Sequence, residues 1–152
     1  MVKDKSLLHQ LRIVLRVQKN GEVVFWNDKN ECKGLDFVYA LKNMERSSAN
    51  FLFKDKVENM REPNRKLILY QSLIKKDRFE QILQHATEIG VFEIIPIISA
   101  HSEKKSLNID RCQKILREAA EQSGRTVIPS FKKVLDLSKA IDIAKQSGFK
   151  TY

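Results

Sequence analysis

The sequence predicts an α/β protein with an N-terminal β-barrel, and three observations carry that expectation. Short apolar stretches alternate with turn signals between residues 20 and 54, at a spacing that suits a small barrel or meander. From residue 66 the pattern changes to apolar strand, amphipathic helix, apolar strand, the rhythm of a parallel βαβ sheet. Between the two, residues 58–64 are polar, carry Pro63 and read as a linker. The chain is therefore divided into residues 1–64 and 65–152.

In the first part, Leu7, Leu8, Leu11 and Leu15 recur at helical spacing within residues 7–16, with His9, Arg12 and Arg16 largely on the other side. Asn20-Gly21 is a turn signal, because both residues tolerate positive φ. Strands are expected at residues 22–27, 34–41 and 49–54, with a turn at residues 28–31.

In the second part, residues 67–74 form a nearly continuous apolar run of strand length, as in a buried parallel strand. Asp77 is the expected N-cap of the next helix, and Glu80 completes a box-like arrangement with it. Phe79, Ile82, Leu83, Ala86 and Ile89 supply its apolar stripe, and Gly90 its left-handed stop. A second buried strand covers residues 91–98, joined to the first by a crossover expected to be right-handed. A second helix is expected after Asp110, with Cys112, Ile115, Leu116, Ala119 and Ala120 inward and Gly124 at its end. Residues 126–129 are extended, and a third helix runs over residues 137–146 with Gly148 as its stop.

Composition narrows the function classes. No apolar run reaches the length that spans a bilayer, and the polar start is not followed by a signal-peptide core, so a cytoplasmic protein is expected. Cys32 and Cys112 lie far apart, and His9, His85 and His101 have no partners at ligand spacing, so no metal is expected. The net charge of +9 favours a polyanion such as RNA, through release of condensed counterions. Residues 1–64 hold 12 basic and 9 acidic side chains, and the basic residues form no dense block. No glycine-rich phosphate loop and no nucleophile elbow is present.

The candidate residues are polar groups at the ends of elements. Gln71 sits inside an apolar strand, where an amide must find partners. Lys75, Lys76 and Arg78 surround the start of the first α/β helix, beyond the C-terminal end of its strand, where parallel sheets usually bind ligands. His101 and Ser102 follow the second strand at the same end. Glu121, Gln122 and Arg125 close the second helix, an arrangement equally read as a solvated end with a glycine cap.

Three stretches together resemble one family. Residues 71–96 (Gln-Ser-Leu-Ile-Lys-Lys-Asp-Arg-Phe-Glu-Gln-Ile-Leu-Gln-His-Ala-Thr-Glu-Ile-Gly-Val-Phe-Glu-Ile-Ile-Pro), residues 118–125 (Glu-Ala-Ala-Glu-Gln-Ser-Gly-Arg), and residues 9–17 with Gly21-Glu-Val resemble the RsmE family. Its members methylate N3 of a uridine in 16S ribosomal RNA. The resemblance implies a PUA-like RNA-binding barrel followed by a SPOUT methyltransferase domain with a trefoil knot. It also implies S-adenosylmethionine as donor, the small ribosomal subunit or its RNA as partner, and a homodimer. Arg12 and Arg16 would belong to the barrel, and Gln71, Arg78, Glu88, Glu121, Gln122 and Arg125 to positions near the RNA and the dimer interface. Lys75 and His101 join them as residues close to the reaction.

The departures from the family are specific. Ile74 and Lys76 stand where a Pro and a Gly are usual, His85 where a Lys is common, and His101 where an Arg is common. The initial barrel strand is shortened or absent, and the glycine-rich loop and the later segment of the knot are missing. The expectation is the first half of such an enzyme, with no donor-binding residue within it. The rival reading is a non-catalytic RNA-binding protein that keeps the barrel and lacks the donor site.

Overall fold

The computed structural model describes residues 1–27, 30–100, 102 and 106–150. The chain divides into two compact units, Met1–Met60 and Arg61–Tyr152.

In the first unit Asp4 caps a short helix α1 (Lys5–His9), its carboxylate accepting the Leu7 N–H at 2.7 Å. The helix widens into a π-helical turn at Gln10–Val14 and ends at Arg16, which has a left-handed φ of 49°. One continuous amphipathic helix was expected here. The wider turn rotates the later residues off the 3.6-residue period. Leu8 and Leu11 are therefore buried, while Ile13, Val14 and Leu15 are exposed.

Three antiparallel strands follow as a meander: β1 (Glu22–Trp26), β2 (Leu35–Met44) and β3 (Ala49–Glu58). The turn before β1 uses Asn20 at φ 67°, and the Gly21 carbonyl accepts the Leu41 N–H at 2.9 Å. Leu8 packs on Leu41 and Ala49 to make the small core. The turn expected at residues 28–31 falls partly outside the described residues, which resume with a 3₁₀ turn at Asn30–Cys32. Among the described residues the three strands form an open sheet and no barrel closes. The segment before α1 adds a single bridge, Val2 to Ala49, and three strands cannot curl far enough to meet. β3 also runs four residues past its expected end at residue 54, into part of the expected linker, because Asp55 to Glu58 pair through their backbone with Leu35 to Val38.

In the second unit β4 (Ile68–Ser72), β5 (Glu93–Ile98) and β6 (Ser130–Phe131) lie in that order, with β7 (Leu135–Asp136) also on β5, all parallel. Helices α2 (Lys76–Glu88) and α3 (Ile109–Ser123) cover one face through Leu73, Phe79, Leu83, Ile94 and Leu116. Helix α4 (Leu137–Gln146) lies on the other, where Ala140 meets Ile95 and Ile97. β4 was expected to be fully buried. It is half-buried, because among the described residues it pairs only with β5 and so forms a sheet edge.

Most helix expectations match the structure. The α3 stripe is buried throughout and Asn108 caps the helix at 2.9 Å to the Arg111 N–H. Gly90, Gly124 and Gly148 follow the three helices at positive φ. The expected capping box of α2 is not formed. Lys75 occupies the N-cap, Asp77 lies within the first turn where it favours the helix dipole, and Glu80 turns away to Arg111 at 3.0 Å. Ile89 is exposed and Thr87 takes the inward position, its hydroxyl donating to the Leu83 carbonyl at 2.8 Å.

Candidate functional site

The candidate residues of the second unit fall into two groups. Lys75 and Arg78 are exposed at the start of α2, beyond the C-terminal end of β4. Gln71 is half-buried in β4 and donates to the Ser72 carbonyl at 2.9 Å. Ser102 closes the turn after β5 by accepting the Ser99 N–H at 2.8 Å, and His101 beside it lies outside the described residues. Glu88, Glu121 and Gln122 are exposed at the C-terminal ends of α2 and α3, Glu88 accepting from Gln84 at 2.8 Å. The 13 residues of α2 separate these groups by about 20 Å at 1.5 Å per residue. One small ligand cannot touch both.

A cleft of about 290 Å³ opens between the N-terminal ends of α2 and α3. Its rim holds Glu80, which pairs with Arg111 at 3.0 Å and Lys76 at 3.8 Å. The Arg111 guanidinium is raised by its hydrogen bond to Glu80. Cys112 is buried at the base of the cleft, and desolvation followed by the Glu80 charge pushes its thiol above the usual range.

Arg125 is of a different kind. It is 2% exposed, and each of its three guanidinium nitrogens donates to protein. Nε and Nη2 form a fork on the Glu62 carboxylate, with Nη2 at 2.8 Å from Oε2, and Nη1 donates to the carbonyls of Thr87 at 2.7 Å and Val91 at 3.1 Å. Glu62 also accepts the N–H groups of Thr126 and Val127 at 3.1 and 3.0 Å. Sequence reading missed Glu62, since an acid beside Pro63 in a polar stretch looks like any solvated linker residue. Next to this hub Thr126 is fully buried and its hydroxyl has no hydrogen-bond partner among the described residues. Thr126→Val should therefore leave stability unchanged or raise it by about 1 kcal/mol, read from the urea midpoint; a clear loss would reveal a hidden partner.

In the first unit Arg12 and Arg16 line a cleft of about 380 Å³ with Ile13, Val17, Gln18 and Met44. Arg12 donates to the Glu45 carbonyl, and the Arg16 carbonyl accepts Gln18 Nε2 at 3.2 Å. Both arginines are exposed, so the strained end of the helix presents two cations to solvent. Among the described residues no group of three His, Cys, Asp or Glu is placed to hold a metal ion, and no helix is long and apolar enough to cross a membrane.

Comparison with known proteins gives this arrangement a context. The ribosomal RNA small subunit methyltransferase E of Rickettsia conorii is 27% identical over 132 residues, covering 86% of this chain and 51% of the relative. The Bacillus subtilis protein of the same name is 26% identical over 147 residues, covering 89% and 56%. The crystal structure of the Neisseria gonorrhoeae protein of that name, bound to S-adenosyl methionine, superposes with a TM-score of 0.77 at 27% identity, over 91% of this chain and 56% of that one. The chain thus spans about half the length of the relatives it matches. The model of the RNA methyltransferase domain matches residues 61–152, more than half of the sequence, and the chain belongs to that family.

Proposed function

We propose that this chain is a segment of an RsmE-type enzyme that methylates N3 of a uridine in 16S ribosomal RNA. The observation that carries the reading is the superposition on the donor-bound Neisseria gonorrhoeae methyltransferase along 91% of this chain. On this reading residues 1–64 are a PUA-like RNA-binding domain, and residues 65–152 are the first half of a SPOUT domain. The working protein is a cytoplasmic homodimer.

The residues divide the work by position. Arg12 and Arg16, two cations on one cleft, suit the phosphates of the RNA. Gln71, Lys75 and Arg78 stand at the strand ends where parallel sheets usually bind ligands and suit the target nucleotide. Glu88, Glu121 and Gln122, at the far end, suit a protein surface. Arg125 supports the fold and has no donor left for RNA on Nε or Nη1. S-adenosylmethionine would supply an electrophilic methyl group, and on this reading its site belongs to the half of the relatives that lies beyond the matched residues. In the cleft by α2 and α3 Lys76 and Arg111 are both paired with Glu80, and the five glycines lie apart, so neither feature marks a donor site.

The test compares this chain with a protein carrying the residues that its longer relatives have beyond the matched half. Small ribosomal subunits are incubated with radioactive S-adenosylmethionine, and the labelled nucleoside is identified. The longer protein should label N3 of one uridine. The 152-residue chain should transfer nothing and show no saturable donor binding by calorimetry. Labelling of another nucleoside, or of none, by the longer protein would overturn the assignment.

A further inference from the structure

The sheet of the first unit has two chemically different faces. Strand register and ring contacts place Phe25, Phe37, Tyr39, Phe51, Phe53 and Lys56 on one of them. Four of the rings form an edge-to-face series, with centroids 5.3 Å apart from Phe51 to Phe25, 5.6 Å from Phe25 to Tyr39 and 5.4 Å from Tyr39 to Phe53. Leu8 of α1 packs only at the Leu41 and Ala49 end of this face. At the other end the rings are partly exposed, Phe53 by 52%.

The charges are sorted between the faces. Glu22, Asp36 and Asp55 lie on the opposite face, beside the half-buried Trp26 and the exposed aliphatic Val24, Leu52 and Val57. The aromatic face carries Lys56, flanked by exposed Lys54 at the bulge between Phe53 and Asp55, and has one acid, Glu58, at its last rung. A base can stack on the exposed ring of Phe53, which the edge-to-face neighbours hold in place, and lysines beside it suit the phosphates between bases.

We propose that this aromatic face is a stacking platform for single-stranded RNA, separate from the cleft of Arg12 and Arg16. The choice of RNA over another single-stranded polyanion rests on the methyltransferase reading above. The acids on the opposite face exclude that side from the same partner.

The test is fluorescence anisotropy of a short labelled oligouridylate with the 152-residue chain at low salt. Phe53→Ala should weaken binding about tenfold, and Phe53→Trp should retain it. Leu52→Ala, at a residue of similar exposure (55%) on the opposite face, should change nothing. Lys56→Gln should lower the slope of log affinity against log salt by about 0.7. The proposal is overturned by absence of oligonucleotide binding, by equal losses from Leu52→Ala and Phe53→Ala, or by a self-associated dimer that Phe53→Ala disperses. Methyl transfer is measured separately. Transfer that persists beside unresponsive binding removes this surface alone, and responsive binding without transfer removes the enzymatic reading alone.

Discussion

Arg125→Ala lowers the stability of the second unit by about 3–5 kcal/mol, the range for removing one partner of a buried ion pair. The cause is what the truncation leaves behind. Glu62, with a side chain only 20% exposed, would keep its charge without the guanidinium. The Val91 carbonyl, just beyond the end of α2, would lose its Arg125 donor, and the Thr87 carbonyl would fall back on the Gly90 N–H at 3.1 Å. Since whole domains are stable by only about 5–15 kcal/mol, this is a large share of the total, seen as a large fall in the urea midpoint of the helical circular dichroism signal. Arg125→Lys keeps a charge but not the planar fork, so it should recover only part of the loss. Glu62→Gln should cost less than Arg125→Ala, because an amide oxygen still accepts from Thr126 and Val127. A change below about 1 kcal/mol in Arg125→Ala would show that the hub contributes little.

Gly90→Ala is the second large effect, expected at about 2–4 kcal/mol from backbone strain plus overpacking. Gly90 holds φ at 95°, and an added Cβ would stand 2.1 Å from Cγ of Pro63 and 2.8 Å from its Cδ. A proline ring cannot swing aside, so backbone must move, and with it Glu62 next door. Gly124→Ala is the internal comparison. Its φ is 70° and its Cβ would meet Nη1 of Arg61 at 2.2 Å. That contact is the far end of a flexible, exposed side chain which can withdraw, giving up its 3.3 Å hydrogen bond to the Gly124 carbonyl, so the cost is about 1–2 kcal/mol and mostly from φ. Thermal unfolding of the two variants should rank them in this order. Equal losses would mean that the Pro63 contact does not resist displacement.

Both expectations centre on residues 61–63, a stretch whose composition suggests only a linker. Pro63 and Arg61 fill the space left by the two helix-ending glycines, and Glu62 binds Arg125 between them. The stretch is thereby an integral part of the second unit. Arg125 shows the same limit from the other side. Its place in a recognisable motif implies a position near the RNA and the dimer interface, and the structure adds hydrogen bonds to Glu62 and to the end of α2 that the sequence does not mark.

The amino-acid sequence by itself determined the helices of the second unit, most of their inward positions and their glycine ends. It also determined the three strands of the first unit to within a few residues at each end. Those features follow from local periodicity and from the φ that a single residue tolerates, and neither needs a distant partner. Only the tertiary structure decided that the first sheet is open among the described residues, that Lys75 rather than Asp77 caps α2, and that the candidate residues of the second unit divide between opposite ends of that helix. It alone decided the pairing of Glu62 with Arg125, which stand 63 residues apart. The reason is physical: a charge in a polar stretch carries no mark of its partner until the chain's topology brings the two together out of water.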